Sequence, residues 1–202
     1  MKKPIIVNLS IIAIFALSAC SSILNSEEPI KVGNSAPDFT LQSSEGTEEK
    51  LSDYSGKVLL MFFFGNGWSS CRAVASDIES KLVIPYIDHS GYAVLGLDQW
   101  DGNTASVVSF KNATKVSFPL LVGASGVAAD YKTTYDRLVL VDKEGFIAFT
   151  GTRVAASDIQ SVKNKLDELL VEWLGKLLWI VSKIELYPNA IPKAIPCRIT
   201  TT

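Results

Sequence analysis

The residues best suited to chemistry in this 202-residue chain lie in one short stretch, Phe62-Phe63-Phe64-Gly65-Asn66-Gly67-Trp68-Ser69-Ser70-Cys71-Arg72. An aromatic, apolar run halts at a Gly-Asn-Gly turn, and Ser-Ser-Cys-Arg follows with the character of a helix start. A cysteine in the first turn of a helix is close to unpaired backbone N–H groups and the positive end of the helix dipole, both of which favour a thiolate. The hydroxyls of Ser69 and Ser70 can donate to the sulfur, and Arg72 adds a positive charge nearby. In such settings a thiol pKa falls from about 8.5 to ~3.5–7.5. The competing reading is structural: cysteine is a small apolar residue common in protein cores.

The elements that must position Cys71 follow from the pattern around it. Lys57 to Phe64 is a continuous apolar run, as expected for a strand buried on both faces of a sheet. Val74, Ile78, Leu82 and Ile87 recur at near-helical spacing, which predicts a helix over 70–86. Upstream, Ala36 to Leu41 reads as a short strand and Ser43 to Glu49 as a polar turn around Gly46. Downstream, strands are expected over 92–98, 118–122, 138–141 and 146–150, with helices over 104–113 and 125–131. Lys143-Glu144-Gly145 supplies the turn of a closing hairpin, and Ser157 is the expected N-cap of a long last helix. This order gives an α/β fold, a central mixed sheet flanked by helices.

The ends of the chain carry different signals. Lys2 and Lys3 precede an apolar run from Ile5 to Leu17, too short to span a bilayer as a mature helix and of the length of a signal peptide. It closes on Leu17-Ser18-Ala19-Cys20, which resembles the lipobox of bacterial lipoproteins. That resemblance implies a signal peptide over 1–19, acylation of Cys20, a membrane partner held through its lipid, and an extracytoplasmic place in the cell envelope. More than one acyl chain gives firmer attachment than the marginal hold of a single chain. Residues 20–31 read as a polar tether, 32–170 as the folded domain, and 171–202 as a C-terminal extension. From the last helix of the domain into that extension, Leu166, Leu170, Trp173, Leu177, Ile180 and Ile184 form an amphipathic stripe, which suits the domain surface, a second copy in a homodimer, or a membrane. Pro188, Pro192 and Pro196 then end any helix.

Composition narrows the partners. The 19 Lys and Arg balance 21 Asp and Glu; without Lys2 and Lys3 the count is 17 against 21, a net charge of −4. Nucleic acid is not an expected ligand. With Cys20 assigned to lipid, Cys71 and Cys197 remain, too few for a disulfide-stapled scaffold. His89 stands alone in a loop, so neither a metal site nor a cofactor is implied. Asp98, Trp100 and Asp101 follow a strand at the sheet end that carries Cys71, where they can line its cleft or simply cap and cover a loop.

The segments "SAPDFTL", "LSDYSGKVLLMFFF", "AVLGLD" and "LVLVDKEGFIAFTG", in this order around the Cys71 helix, resemble the thioredoxin superfamily. The likeness covers Val32 to Leu170. It is strongest to the branch of alkyl hydroperoxide reductase and thiol-specific antioxidant peroxiredoxins and envelope-anchored thioredoxin-like thiol reductases. Laid on the reductase motif Trp-Cys-x-x-Cys-Arg, Trp68 takes the first cysteine's place, while Cys71 and Arg72 match the second cysteine and the arginine. A dithiol cycle within the motif is thereby excluded. The cis-proline that usually precedes the strand at Leu138 is replaced by Tyr135-Asp136-Arg137. On the peroxiredoxin pattern Cys71 matches the peroxidatic position, Phe64 replaces a proline, Trp68 replaces a threonine, and Arg137 lies about one residue from the family arginine. The resemblance implies a one-cysteine thiol oxidoreductase in which Cys71, Arg72 and Arg137 act, Trp68, Ser69 and Ser70 line the site, and Cys197 is a candidate resolving thiol. Its partners would be a small peroxide or protein disulfide as substrate and an external thiol reductant or partner protein. The alternative is a redox-silent module that keeps the fold for binding.

Overall fold

The computed structural model describes residues 30–186, with side chains to Leu170. The expected signal peptide, Cys20, most of the tether, and Cys197 lie outside the described residues. The sheet has seven strands: β1 (Thr40–Ser43), β2 (Glu48–Lys50), β3 (Val58–Phe64), β4 (Tyr92–Asp98), β5 (Leu120–Val122), β6 (Arg137–Val141) and β7 (Ile147–Thr150). Their order is β2-β1-β5-β4-β3-β6-β7. β3, β4 and β5 run parallel, while β6 is antiparallel to β3 and β1 antiparallel to β5. Four helices flank it: α1 (Ser69–Ile78), α2 (Thr104–Thr114), α3 (Ser125–Asp130) and α4 (Ala155–Leu186).

β3 is central because every one of its side chains is buried. Alternation sends Val58, Leu60, Phe62 and Phe64 to the face covered by α1, α2 and α4, and Leu59, Met61 and Phe63 to the face covered by α3 and the N-terminal segment. Phe64 stacks on Phe110 of α2 at 4.4 Å. Phe63 meets Tyr131, whose hydroxyl donates to the Pro37 carbonyl at 2.8 Å. Burial of each such ring stabilises the fold by about 1.5–3 kcal/mol. The α4 residues Ala155, Ile159, Val162, Leu166 and Leu170 follow the helical period and are buried on the α1 face. The helix then continues unbroken past Leu170 to Leu186.

Three local expectations give way. The polar stretch expected as a turn forms β2, because Gly46, at φ 87°, reverses the chain and Glu48–Lys50 pairs with β1. The helix after Cys71 changes pitch: α1 stops at Ile78, a wider turn occupies Glu79–Val83, and a tight turn carries Ile84–Tyr86. The altered register buries Leu82 and turns Ile87 out, leaving it 67% exposed rather than on the apolar face. Ser157 does not cap α4; its hydroxyl donates to the Val154 carbonyl at 2.7 Å. The helix starts two residues earlier, where the Asp136 carboxylate accepts the Ala155 N–H at 3.2 Å. A cap supplied from a distant part of the chain left no local signature at Ser157.

Candidate functional site

Cys71 occupies the third position of α1, directly after the end of the central strand. The intervening turn is closed by the Trp68 N–H donating to the Gly65 carbonyl at 3.1 Å. Trp68 is the N-cap residue and its side chain makes no capping bond. The fold thus delivers the cysteine to the helix start that the sequence predicts.

The environment of the sulfur differs from the expectation. Cys71 is fully buried and belongs to the apolar core that includes Phe62, Phe64, Val74 and Leu138. Burial is the largest influence and pushes the thiol up to about 11 from its ordinary 9.0. The backbone N–H of Gly65 and the Ser70 hydroxyl act the other way, and the carboxylates of Asp136 and Asp98 add to the rise. A helix terminus contributes typically ~0.3–1 kcal/mol, against about 2.7 kcal/mol for a net rise of two units. Desolvation therefore wins, and burial favours the neutral thiol at neutral pH.

The arginines do not offset this. Arg72 is exposed on α1. Arg137 pairs with Phe63 across β3, which directs it to the face opposite the Cys71 core. Its guanidinium donates to the carbonyls of Gly151 at 2.9 Å and Tyr131 at 3.3 Å. Arg137 therefore ties the start of β6 to the loop after β7. The charges that act on the thiol are instead the carboxylates of Asp98 and of Asp136, the latter in the segment replacing the family proline. Among the described residues no peptide bond is cis.

A second group of residues closes the mouth of the site. Asp98, fully buried at the end of β4, accepts from Asn66 Nδ2 and the Gly102 N–H, each at 2.8 Å. It thus fastens the Gly65–Gly67 turn to the loop after β4. Trp100 lies across that turn: a Cβ at Gly65 would stand 2.9 Å from the indole, and one at Gly67 3.3 Å. A side chain at either glycine would press on the indole, most at Gly65. Trp68 and Trp100 meet edge to face, 4.5 Å apart. Trp100 is thus a cover on the loop, and Asp98 the fastening beneath it. Asp101 is exposed and accepts from the Ser125 N–H at 2.9 Å; hydrogen bonds from Ser125 hold its carboxyl below the usual range.

Beside this group, Gln99 is 7% exposed and neither amide atom has a partner. Asp136 and Gln99 are the site neighbours that sequence spacing did not single out. Ser69 and Ser70 are exposed on the first turn of α1, and His89 lies at the other end of the sheet, its Nδ1 accepting from the Gly91 N–H at 3.2 Å. Among the described residues no three His, Cys, Asp or Glu side chains converge to hold a metal ion.

Residues 32–150 match the AhpC/TSA family, and the chain belongs to it. It is 28% identical over 142 residues to the thioredoxin-like protein YneN of Bacillus subtilis, covering 70% of this chain and 82% of that one. It is 25% identical over 173 residues to the thiol-disulfide oxidoreductase ResA of Geobacillus thermodenitrificans, covering 81% and 92%. The solution structure of a candidate protein disulfide isomerase from Bacteroides thetaiotaomicron superposes with a TM-score of 0.63 at 28% identity, covering 70% of this chain and 91% of that one. The chain is therefore a thioredoxin-fold redoxin, related to thiol–disulfide oxidoreductases.

Proposed function

We propose that this chain is an envelope-anchored redoxin whose thiol is closed in the resting fold, and that it works as a thioredoxin-fold binding module for a partner protein. The observation that carries this reading is the state of Cys71: fully buried, with its pKa raised to about 11 by burial and, to a lesser degree, by the carboxylates of Asp136 and Asp98. Trp68 in the first-cysteine position removes the attacking sulfur of a dithiol pair. The exposed Trp100 and Val154 near the site offer apolar contacts to a partner. Anchoring rests on the lipobox-like Leu17-Ser18-Ala19-Cys20.

A one-cysteine oxidoreductase is the second reading. It is favoured by the retained sulfur in a peroxidatic position, with the Gly65 N–H and Ser70 hydroxyl directed at it. In that cycle the Cys71 thiolate attacks one peroxide oxygen and the O–O bond breaks. The other oxygen leaves as alkoxide or hydroxide and takes a proton. An external thiol then condenses with the sulfenic acid, releasing water, and a second thiol restores Cys71.

Labelling of folded protein with iodoacetamide across pH separates the two. The module reading expects negligible modification at neutral pH, a rise only near pH 11, and no sulfenic acid after peroxide treatment. Rapid labelling at pH 7 with peroxide-dependent sulfenic acid, both abolished by Cys71→Ser, would establish the enzyme. Trp68→Cys rebuilds a Cys-x-x-Cys pair and should yield an internal disulfide and a measurable reductase cycle.

A further inference from the structure

β3 and β4 run parallel, so the loops that lead into them lie side by side, at the end of the sheet away from Cys71. Val58 stands opposite Tyr92, and its N–H donates to the Gly91 carbonyl at 2.9 Å. The first loop is Ser55-Gly56-Lys57 and the second Asp88-His89-Ser90-Gly91. Between them is a cavity of about 400 Å³, lined by residues 55–57 and 88–91. The length of β3 puts it about 20 Å from the thiol site, in which it has no part.

The side chains of this cavity are mostly donors without acceptors. Lys57 is half-buried, and among the described residues its ammonium has neither an ion pair nor a hydrogen-bond partner. A cation partly withdrawn from water is costly unless an opposite charge meets it. His89 Nδ1 accepts from the Gly91 N–H at 3.2 Å, which puts the proton of the neutral ring on Nε2 and leaves that N–H uncommitted. A Cβ at Gly91 would stand 3.2 Å from His89 Cε1 and 4.0 Å from Lys143 Cε, so the imidazole and a second lysine stem both lie against this lining glycine. The hydroxyls of Ser55 and Ser90 make no bond within the described chain. Charge is sorted between neighbouring cavities: Asp38, Asp142 and Glu144 border a second one of about 290 Å³, and none of them forms an ion pair with Lys57. The first cavity holds one carboxylate, that of Asp88, which is exposed and opposes an anion.

We infer that this cavity is a second binding site and takes the phosphate group of a small molecule, with Lys57 as the counter-charge and the His89 Nε2–H and the Ser55 and Ser90 hydroxyls as donors. A phosphate monoester offers three strong acceptor oxygens to these donors, one more than a carboxylate, and a lysine meets it as a point charge. The volume is that of a small-molecule pocket and leaves room for the group that carries the phosphate. The site stands apart from the state of Cys71 and from any anchor at Cys20.

The test follows the isotope-labelled full chain in dodecylmaltoside micelles by NMR as glycerol phosphate is added, with potassium chloride at equal ionic strength as the reference. The backbone amides of Lys57, Ser90 and Gly91 should shift and saturate, and those of Trp68 to Arg72 should stay where they are. Lys57→Met keeps the stem and removes the charge, and should weaken binding by about tenfold or more. Asp88→Asn removes the opposing charge and should tighten it by about two- to threefold. Shifts that grow without saturating, or that keep their affinity in Lys57→Met, would overturn the site. Acetate binding as tightly as glycerol phosphate would overturn the choice of phosphate. Phosphatidic acid mixed into the micelles separates the sources of the group: a response to it with none to glycerol phosphate would assign the cavity to a lipid headgroup and overturn the small-molecule reading.

Discussion

β3 and the loop that follows it are adjacent in sequence and opposite in character. From Val58 to Phe64 every side chain is apolar and buried, and each face of the strand has its own core. From Gly65 to Cys71 the chain depends on remote side chains: Asp98 holds Asn66, Trp100 lies over the glycines, and the carboxylates of Asp136 and Asp98 raise the thiol's pKa. The strand's burial serves the scaffold whatever the site does. The thiol's reactivity depends on a few side chains from β4 and the start of β6, so it can be lost with the scaffold intact. The largest effect should therefore come from the strand. Phe64→Ala removes a ring stacked between Phe62 and Phe110 and should cost about 3–5 kcal/mol in denaturant unfolding. A loss below about 1 kcal/mol would show that the core does not depend on β3 as described.

The next effect belongs to the loop and is read through pH. The folded Cys71 thiol titrates near 11 and its unfolded counterpart near 9.0. Between those values the native state keeps a proton that the unfolded chain has lost. The contribution is complete below pH 9 and disappears as pH rises through 11. Its full size is about 2–3 kcal/mol. Tyrosines raised by burial, such as Tyr54 and Tyr131, also titrate at alkaline pH, so the informative quantity is the difference in alkaline slope between wild type and Cys71→Ser. Equal slopes would place the sulfur in an environment no different from the unfolded chain.

A smaller effect isolates the carboxylate. Asp136→Asn keeps an oxygen for the Ala155 N–H and removes the charge that raises the Cys71 pKa. The midpoint of thiol labelling should move down by less than about one unit, because burial outranks this charge. An unchanged midpoint would show that the Asp136 charge does not act on the thiol.

The contrast between strand and loop also explains what could be read from sequence. β3, β4 and the buried face of α4 were legible because apolar period and length carry them, and the Cys71 helix start because glycines and serines mark it. The thiol's state was not. Helix position, Ser70 and Arg72 are local signals that argue for a thiolate, whereas burial beneath β3 and the approach of Asp136 arise only when β6 pairs with β3. The cap on Ala155 was hidden for the same reason. The face that Arg137 occupies is set by its register against Phe63, which is not written in its neighbours.

The smallest expected effect is the one that asks which part of the loop keeps the thiol closed. Gly65→Ala would put a methyl group 2.9 Å from the Trp100 indole. The obstacle is a side chain 45% exposed, able to swing toward solvent, so the cost in stability should stay below about 1 kcal/mol. The displaced indole would lose its edge-to-face contact with Trp68, and the near-ultraviolet circular dichroism of the pair should change. Cys71 belongs to the buried core that includes Phe62, Phe64, Val74 and Leu138, against which Trp68 packs. Its labelling rate at neutral pH should therefore change less than about twofold, a difference of under about 0.4 kcal/mol. A rise of tenfold or more, about 1.4 kcal/mol, would assign the closure to the Trp68–Trp100 cover alone. Cys71 would then be a thiol made accessible by moving one ring, and the one-cysteine oxidoreductase would displace the binding module as the better reading.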